Sequence, residues 1–369
     1  MLVTAIEARP LRSLERVRVP LGPGITSVVG PNGVGKTNLV EALYFALTGR
    51  SFRTSDRRDL IPFGESLARA EATVRDDDGI ERRLLASVSR TEGRRHLLDG
   101  AAVDPATISR SRPPVAVFAP DRLSLVKGPP AERRAHLDGF VAARRPTRAE
   151  LRKRFGQALA QRNAMISRVA AGHGSPDGLD VWDAGVAAAA APLIAARREA
   201  VDELAPAFAA ALGELGLDDG ELAYAPRAEG DADVLAAGLR ERRDADIKLG
   251  RTSWGPHLDE LKLSVAGRAV RRYGSQGQQR AALLALLFAE REALLAARRV
   301  TPLLLLDDVM SELDPGRREL LVARLAVGGQ TLITAADEES LPAAARGAMV
   351  RMPAPGVVEG LGDLGAEAA

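Results

Sequence analysis

The sequence predicts an α/β fold, in which a head with a mixed sheet plus antiparallel strands is interrupted by a helical arm domain. Short apolar strands around a Gly-rich turn fill residues 1–120, helix-period segments fill 121–248, and apolar strands return over 249–352. We therefore expect a split head of 1–120 and 249–352 and an arm of 121–248 that is basic at its start. The Gly/Ala-rich residues 353–369 are expected to be a disordered tail.

Composition excludes several classes of protein. The 369 residues are 46% hydrophobic, carry a net charge of +2 and contain no cysteine, so disulfides, thiolate zinc sites and cysteine nucleophiles are excluded. Four scattered histidines disfavour a catalytic metal cluster. The N-terminus lacks a signal-peptide pattern, and no run approaches 18 apolar residues without charge. We expect a cytoplasmic protein that does not contact a membrane.

The head elements follow in order along the chain. ITSVV is a short strand, and after a Gly-rich turn the helix KTNLVEALYFAL is closed by Gly49. ARAEATVRD, ERRLLASVSR and RRHLLDG indicate antiparallel strands, and Val115–Phe118 is a buried strand. Beyond residue 249, LDELKLSV, RAVRRY, TPLLLLDD and GGQTLITAAD are predicted as strands.

The Gly-rich turn has the G-x-x-x-x-G-K-T pattern of a phosphate-binding loop (P-loop). Its glycines let backbone N–H groups surround phosphate oxygens at a helix N-terminus, Lys36 reaches the β/γ-phosphates, and Thr37 coordinates Mg²⁺. A turn without a ligand is the alternative, which the preceding strand and following helix disfavour. The predicted nucleotide-binding residues are Gly30, Pro31, Asn32, Gly33, Val34, Gly35, Lys36, Thr37 and Asn38.

Two carboxylates end the apolar strand LLLL. Asp307 and Asp308 fall at its carboxyl end, where open α/β sheets bind ligands. We expect Asp307 to hold Mg²⁺ through water, and Asp308, with Lys36, to be catalytic by orienting the attacking water. The alternative is that both acids only cap the next helix.

A polar tetrad precedes the next long helix. Ser275 and Gln278 have capping-box spacing at the start of the Ala/Leu helix AALLALLFAE. This tetrad, the acidic strand and the following Ser311-Glu-Leu-Asp314 resemble the ABC-type ATPases, and the implied fold is an ABC-type P-loop ATPase head. That resemblance implies a signature that acts in trans on the γ-phosphate of a second copy, and dimer contacts at Ser311 and Asp314. The signature residues are Ser275, Gln276, Gly277 and Gln278.

Within that superfamily the chain resembles the RecF family of bacterial DNA replication and repair ATPases. LVKGPPAERRAHLD and GPHLDELKL match that family and are absent from transporter ATPases. The resemblance implies ATP and Mg²⁺ as cofactors, an ATP-dependent homodimer, binding of duplex and gapped DNA, and action with RecO and RecR in loading RecA. Leu258 and Glu260 depart from the family's usual Arg and Asp. The Asp-Asp pair and the lack of a His over 330–345 predict slow, switch-like ATP hydrolysis.

Basic residues cluster in two places. Residues 121–168 contain twelve Lys or Arg against four acids, and a second group follows the P-loop helix. Arg145, Arg148 and Arg152 have helical spacing, and Thr147-x-x-Glu150 indicates a helix start there. A solvated face is the alternative, but we expect contacts with DNA phosphates without base readout. The candidates are Arg50, Arg53, Arg57, Arg133, Arg134, Arg145, Arg148 and Arg152.

Three other functions stay open at this point. A transporter subunit would have a sensing His and no basic insert. A chain-tethering protein would have coiled coils of several hundred residues, whereas two 40-residue helices here would reach only about 60 Å. A related ATPase with a role away from DNA is the third alternative.

Overall fold

The computed structural model describes residues 1–54, 56–119, 123–299 and 301–359. The chain forms two compact units, each built from segments distant in sequence. The first contains Met1–Leu123, Glu214–Gly216 and Leu294–Ala369, and the second contains Ser124–Gly213 and Leu217–Ala293.

The strands and helices of the described residues are numbered in chain order. The strands are β1 (Leu2–Arg9), β2 (Val17–Pro20), β3 (Ile25–Val29), β4 (Leu67–Arg75), β5 (Glu81–Ser89), β6 (Gly93–Leu98), β7 (Ala101–Ala102), β8 (Val115–Phe118), β9 (Gly220–Ala225), β10 (Glu260–Val265), β11 (Arg268–Ala269), β12 (Leu303–Leu306), β13 (Thr331–Ala335) and β14 (Ala348–Arg351). The helices are α1 (Lys36–Thr48), α2 (Pro105–Arg110), α3 (Ser124–Lys127), α4 (Pro130–Arg144), α5 (Leu151–Ala170), α6 (Asp180–Glu214), α7 (Ala232–Glu241), α8 (Arg243–Leu249), α9 (Val270–Tyr273), α10 (Gln276–Arg298) and α11 (Pro315–Ala326).

A parallel sheet of order β14-β3-β13-β12-β8 organises the first unit. All four leucines of β12 are buried because this strand lies inside the sheet and has apolar neighbours on both faces. The carboxyl ends of β3, β12 and β13 meet at one edge of the sheet. The P-loop and the acidic pair follow directly from that edge.

An antiparallel sheet of order β2-β1-β4-β5-β6-β7 forms the other layer of this unit. Helix α1 packs against β1, β4 and β5 and shares its apolar core with β3, β12 and β13. Leu39, Leu43 and Phe45 of α1 are fully buried there. The predicted α/β fold of the head is therefore confirmed, with parallel and antiparallel strands in two separate sheets.

The second unit combines helices with a small sheet of order β11-β10-β9. Its apolar core includes Phe155, Val186, Leu193 and Leu235. The unit extends to Ala293, beyond the arm predicted over 121–248, because β9 pairs with β10 along its whole length. That pairing joins the two sequence segments, which the helical pattern alone did not indicate.

Two local predictions in this unit are wrong. RAVRRY is a strand only over Arg268–Ala269, and Val270–Tyr273 is a helical turn. Thr147 does not start a helix: Pro146–Arg148 is a 3-10 turn, and α5 follows Glu150, whose side chain makes no capping hydrogen bond.

The end of the chain was predicted to be disordered from residue 353. In the structure Arg351 and Glu359 exchange two backbone hydrogen bonds, with N–O distances of 2.9 and 2.8 Å. Residues 360–369 of the predicted tail lie outside the described residues.

One helical segment, Pro176–Glu214, is long and apolar enough to cross a membrane by length and composition alone. It contains α6, and in the structure α6 packs into the core of the second unit. Asp183 and Arg197 of α6 are buried there in ion pairs with Arg162 and Asp138.

Candidate nucleotide-binding site

The P-loop has the backbone geometry that phosphate binding requires. Gly33 and Gly35 have φ angles of 89° and 105°, which side chains rarely tolerate. Gly30 has no room for a side chain, because a Cβ there would lie 2.2 Å from the carbonyl oxygen of Met352. No side chain of the described residues caps α1 after Gly35. The partial positive charge of the α1 N-terminus is therefore left for an anion.

Lys36 lies at the start of α1 and folds back over the loop. Its Nζ donates to the carbonyl oxygens of Gly30 (2.5 Å) and Pro31 (3.0 Å). Burial lowers the pKa of Lys36, and the charges of Asp308 and Asp307 oppose this effect. The ammonium is thus held by weak acceptors at a place where a phosphate would supply a full counter-charge.

Thr37 and Asp307 are brought together from opposite ends of the sequence. The Thr37 hydroxyl donates to Asp307 Oδ2 at 2.8 Å, and the Thr334 hydroxyl donates to Oδ1 at 2.7 Å. Burial raises the pKa of Asp307, and these two hydrogen bonds oppose the shift. A hydroxyl and one carboxylate are a donor set that suits Mg²⁺, which takes its other ligands from water and phosphates. The described residues contain no group of three His, Asp or Glu side chains that could hold a metal ion by themselves.

Asp308 follows with a backbone φ of 50°, an unusual value for a residue other than Gly. Its N–H donates to the Thr334 hydroxyl at 2.9 Å, and its carbonyl accepts from Ser311 Oγ at 2.9 Å. Thr334 therefore links both members of the acidic pair. Sequence reasoning missed Thr334, because its role depends on the pairing of β13 with β12.

Glu41 on α1, which sequence reasoning missed, lies among residues that include the predicted Asn38 and Arg53. This carboxylate is fully buried and accepts from Arg12 at 3.0 and 3.1 Å and from Arg53 at 3.4 Å. Arg53 also donates to Asn38 Oδ1 at 3.1 Å, and Asn38 Nδ2 donates to Ser13 Oγ at 2.8 Å. Both ends of the Asn38 amide are thus already bonded to protein groups.

The capping box at the predicted signature is confirmed. The Ser275 N–H donates to Gln278 Oε1 at 2.9 Å, and the Gln278 N–H donates to Ser275 Oγ at 3.3 Å. Ser275 and Gln276 are exposed, whereas Gln279 is buried and donates to the Gly274 carbonyl at 3.0 Å. Gln279 therefore holds the backbone at Gly274 from its buried side, and Ser275 and Gln276 of the tetrad face solvent.

Two polar side chains in the segment after β12 are also open to solvent. Ser311 and Asp314 are exposed, and Asp314 caps α11 by accepting from the Arg317 N–H at 3.0 Å. The two residues predicted to lie at a dimer contact are thus ordered by hydrogen bonds within the first unit.

Arg133, one of the predicted DNA contacts, is buried in the structure. It is 2% exposed and donates to both carboxylate oxygens of Glu260, at 2.7 and 3.0 Å, and to the Gly128 carbonyl at 2.9 Å. The prediction of a DNA contact is wrong there, because the guanidinium is enclosed and fully paired. Glu260, which departs from the usual motif, is thus the partner of this arginine.

The prediction that Arg145, Arg148 and Arg152 share one basic helix face is also wrong. Arg145 ends α4 with extended backbone and Arg148 lies in a 3-10 turn, so the three residues do not share a helix. Arg145 and Arg148 both pair with Glu199, at 2.6 and 2.7 Å. Arg152 is exposed and 3.7 Å from Asp138.

The other candidate arginines differ in how far they are engaged. Arg134 is half-buried and donates to the Asp259 carbonyl at 2.8 Å. Arg50 and Arg57 have no ion pair among the described residues. Arg122 of the basic segment lies outside the described residues.

An uncapped P-loop helix, an acidic strand end and a capped helix start at the predicted signature are the features of an ATPase head of the ABC and SMC type. Residues 2–359 match the family described as RecF/RecN/SMC N terminal domain. The chain is 38% identical over 362 residues to the DNA replication and repair protein RecF of Streptomyces avermitilis, covering 93% of this chain and 95% of that protein. It is 37% identical to the protein of the same name from an Anaeromyxobacter species, covering 94% and 95%.

Solved structures also show similarity to RecF and to Smc heads. The structure of the recombination mediator protein RecF-ATPrS in the RecFOR pathway is 26% identical, has a TM-score of 0.83 and is covered over 97% of both chains. An Smc head bound to the C-winged helix domain of ScpA, at 16% identity and a TM-score of 0.58 with coverage of 97% and 96%, shares the fold. The chain belongs to the RecF family.

Proposed function

We propose that the chain is an ATP-dependent DNA-binding protein of recombinational repair with a weak, DNA-stimulated ATPase activity. The observation that carries this proposal is the edge of the parallel sheet, where the uncapped start of α1, Lys36 and the Thr37–Asp307 pair lie together. Similar proteins described as RecF-ATP and RecF-ATPrS support ATP as the nucleotide.

Each residue of the site has a distinct task. Lys36 and the P-loop N–H groups bind the phosphates, and Thr37 and Asp307 would hold Mg²⁺. When bound, the ion neutralises charge on the phosphates. Asp308 orients the attacking water, and slow hydrolysis acts as the switch that releases the protein from DNA.

ATP joins two copies of the chain. The exposed tetrad Ser275–Gln278 of one copy contacts the γ-phosphate bound by Lys36 of the other. The start of α10 has the partial positive charge for this contact, and Gly277 allows close approach. Ser311 and Asp314 contribute to the same interface.

The resulting dimer clamps duplex DNA near single-strand gaps, largely without sequence preference. Among the predicted arginines, Arg50, Arg57 and Arg152 are the ones most free to contact phosphates. Together with RecR and RecO the dimer promotes loading of RecA, in the cytoplasm and without a membrane partner. Relatives described as DNA replication and repair proteins of the RecFOR pathway support this role.

Analytical ultracentrifugation with and without ATP and a gapped duplex tests the proposal. We expect a monomer without ATP and a DNA-bound dimer with ATP. Ser275→Arg should keep ATP binding by the monomer and lose dimerisation, because the larger side chain fills the space meant for the phosphate. Ser167→Arg, at an exposed serine of α5, is the matched control and should dimerise normally. A wild-type protein that stays monomeric and ignores DNA contradicts the proposal.

A further inference from the structure

Four basic residues gather where α1 ends in the first unit: Arg50, Arg57, Arg94 and His96, called here the α1-end cluster. Arg94 and His96 are two residues apart on β6, so their side chains lie on the same face of the strand. A Cβ on Gly49 would lie 2.1 Å from the His96 ring and 3.2 Å from Cδ of Arg94. Nη1 of Arg94 donates to the Gly49 carbonyl at 3.3 Å. Both side chains therefore pack directly on the end of α1.

The arginines of the α1-end cluster lack an ion-pair partner in the part of the chain that the structure describes. Among the described residues, no carboxylate pairs with Arg50, Arg57 or Arg94. Burial lowers the pKa of Arg94, and the charges of Arg57 and Arg50 lower it further. Arg12 and Arg53 differ, because both pair with the buried Glu41. Grouped cations without an anion oppose folding, so an anion from outside the chain would relieve the repulsion.

His96 supplies an independent observation. Its side chain is 6% exposed, and neither ring nitrogen has a hydrogen-bond partner among the described residues. Buried polar atoms in native proteins are nearly always hydrogen-bonded, and an exception calls for an explanation such as a missing ligand. Both ring nitrogens are enclosed and the Cε1–Nε2 edge packs on Gly49, so an anion held by the neighbouring arginines reaches the imidazole N–H only when the ring turns outward.

We propose that the α1-end cluster binds a phosphate of the DNA backbone, with Arg94 and His96 completing the contact that Arg50 and Arg57 begin. This inference rests on the proposed function and assigns it two further residues. A phosphodiester suits the cluster because guanidinium groups bind its oxygens in pairs, and the charge-assisted hydrogen bonds are short and strong. The site reads charge and position and not base sequence.

The salt dependence of DNA binding tests this assignment. Arg94→Gln removes one phosphate contact and keeps a polar side chain of similar length. Arg95→Gln is the matched control, since Arg95 is the next residue of β6, points to the other face, is exposed and pairs with Glu92 at 3.1 Å. Anisotropy of a labelled duplex with the full chain and ATP would be measured over a range of salt concentrations.

For Arg94→Gln, the slope of log K against log salt should fall in magnitude by about 0.9, the loss expected for one phosphate. Arg95→Gln should keep the wild-type slope, and ATP binding should be normal in both variants. Equal slopes for Arg94→Gln and wild type, or equal losses in both variants, would overturn the assignment and leave Arg94 as a packing residue.

A second measurement separates this site from the proposed function. Inorganic phosphate would be titrated into the ¹⁵N-labelled full chain while the ring nitrogens of His96 are followed, with His96→Gln to assign them. A wild-type protein that binds no duplex refutes the proposed function. A saturable shift of the His96 nitrogens then still supports an anion site, and its absence refutes the site.

Discussion

Replacement of Thr334 by valine tests whether this residue positions the acidic pair. Its hydroxyl donates to Asp307 at 2.7 Å and accepts from the Asp308 N–H at 2.9 Å, and the side chain is fully buried. Valine has nearly the same shape, so the change removes two hydrogen bonds without opening a cavity. A hydrogen bond to a charged group contributes about 1.5–3 kcal/mol, and an unsatisfied buried N–H costs about 1–3 kcal/mol.

We therefore expect Thr334→Val to lower the free energy of unfolding by about 3 kcal/mol, measured by urea denaturation. Mg²⁺ binding should weaken as well, because loss of a residue that orients a metal ligand typically weakens metal binding about 10–100-fold. A Mg²⁺ titration of fluorescent ATP-analogue binding measures this change. Nucleotide binding at saturating Mg²⁺ should recover, since Lys36 and the P-loop are intact.

Thr331 offers a matched control on the same strand. It is 1% exposed, and its hydroxyl has no hydrogen-bond partner among the described residues. Thr331→Val should leave Mg²⁺ binding unchanged and should not reduce stability, because it removes an unsatisfied buried hydroxyl. If both variants bind Mg²⁺ equally well, the positioning role of Thr334 is refuted.

Three further predictions follow from the same contacts. Lys36→Ala should abolish ATP binding, because it removes the counter-charge of the phosphates, and a fluorescence titration would show residual affinity if another cation did this work. Asp308→Asn should bind ATP and DNA but accumulate as a DNA-bound dimer, and normal phosphate release would assign the catalytic carboxylate elsewhere. Burial, then Arg94 and Arg57, lower the pKa of His96 to about 4 from 6.5, so the folded chain prefers the neutral ring. Stability from this preference is present above pH 6.5 and is lost as pH falls towards 4, by at most about 3 kcal/mol. Urea denaturation at pH 7 and pH 4.5 should show a larger loss for wild type than for His96→Gln.

Local sequence patterns predicted those parts of the site that local backbone geometry determines. The P-loop requires glycines at positive φ before a helix, and β12 requires four apolar residues because it is buried on both faces. The capping box at Ser275 likewise involves only the four consecutive residues from Ser275 to Gln278. In each case the residues that make the contact lie within a few positions of one another.

Apart from the pairing of Thr37 with Asp307, which the P-loop and strand-end patterns indicated, contacts between distant segments were not evident from the sequence. Arg133 pairs with Glu260 across 127 residues, and Arg148 pairs with Glu199 across 51. The basic residues of this segment were therefore predicted to lie on a DNA-binding surface, because their carboxylate partners are distant in sequence. Thr334 was overlooked for the same reason, since its hydroxyl becomes informative only once β13 lies beside β12.

The electrostatics of the site predict that nucleotide and metal stabilise the protein cooperatively. Burial disfavours the charged forms of both Lys36 and Asp307, and each is only partly compensated by its neighbours. ATP alone would supply an anion for Lys36 but bring more negative charge towards Asp307 and Asp308. Mg²⁺ alone would supply a cation for the two carboxylates but bring more positive charge towards Lys36. Together they supply both counter-charges.

Thermal unfolding should therefore shift more with ATP and Mg²⁺ together than the sum of the two separate shifts. A ligand at about 100 times its dissociation constant contributes about 2.7 kcal/mol, which is large enough to measure. In Asp307→Asn the cooperativity should disappear while the shift with ATP alone increases, because the repelling carboxylate is gone. Additive shifts in the wild-type protein would show that Lys36 and the acidic pair do not share one electrostatic site.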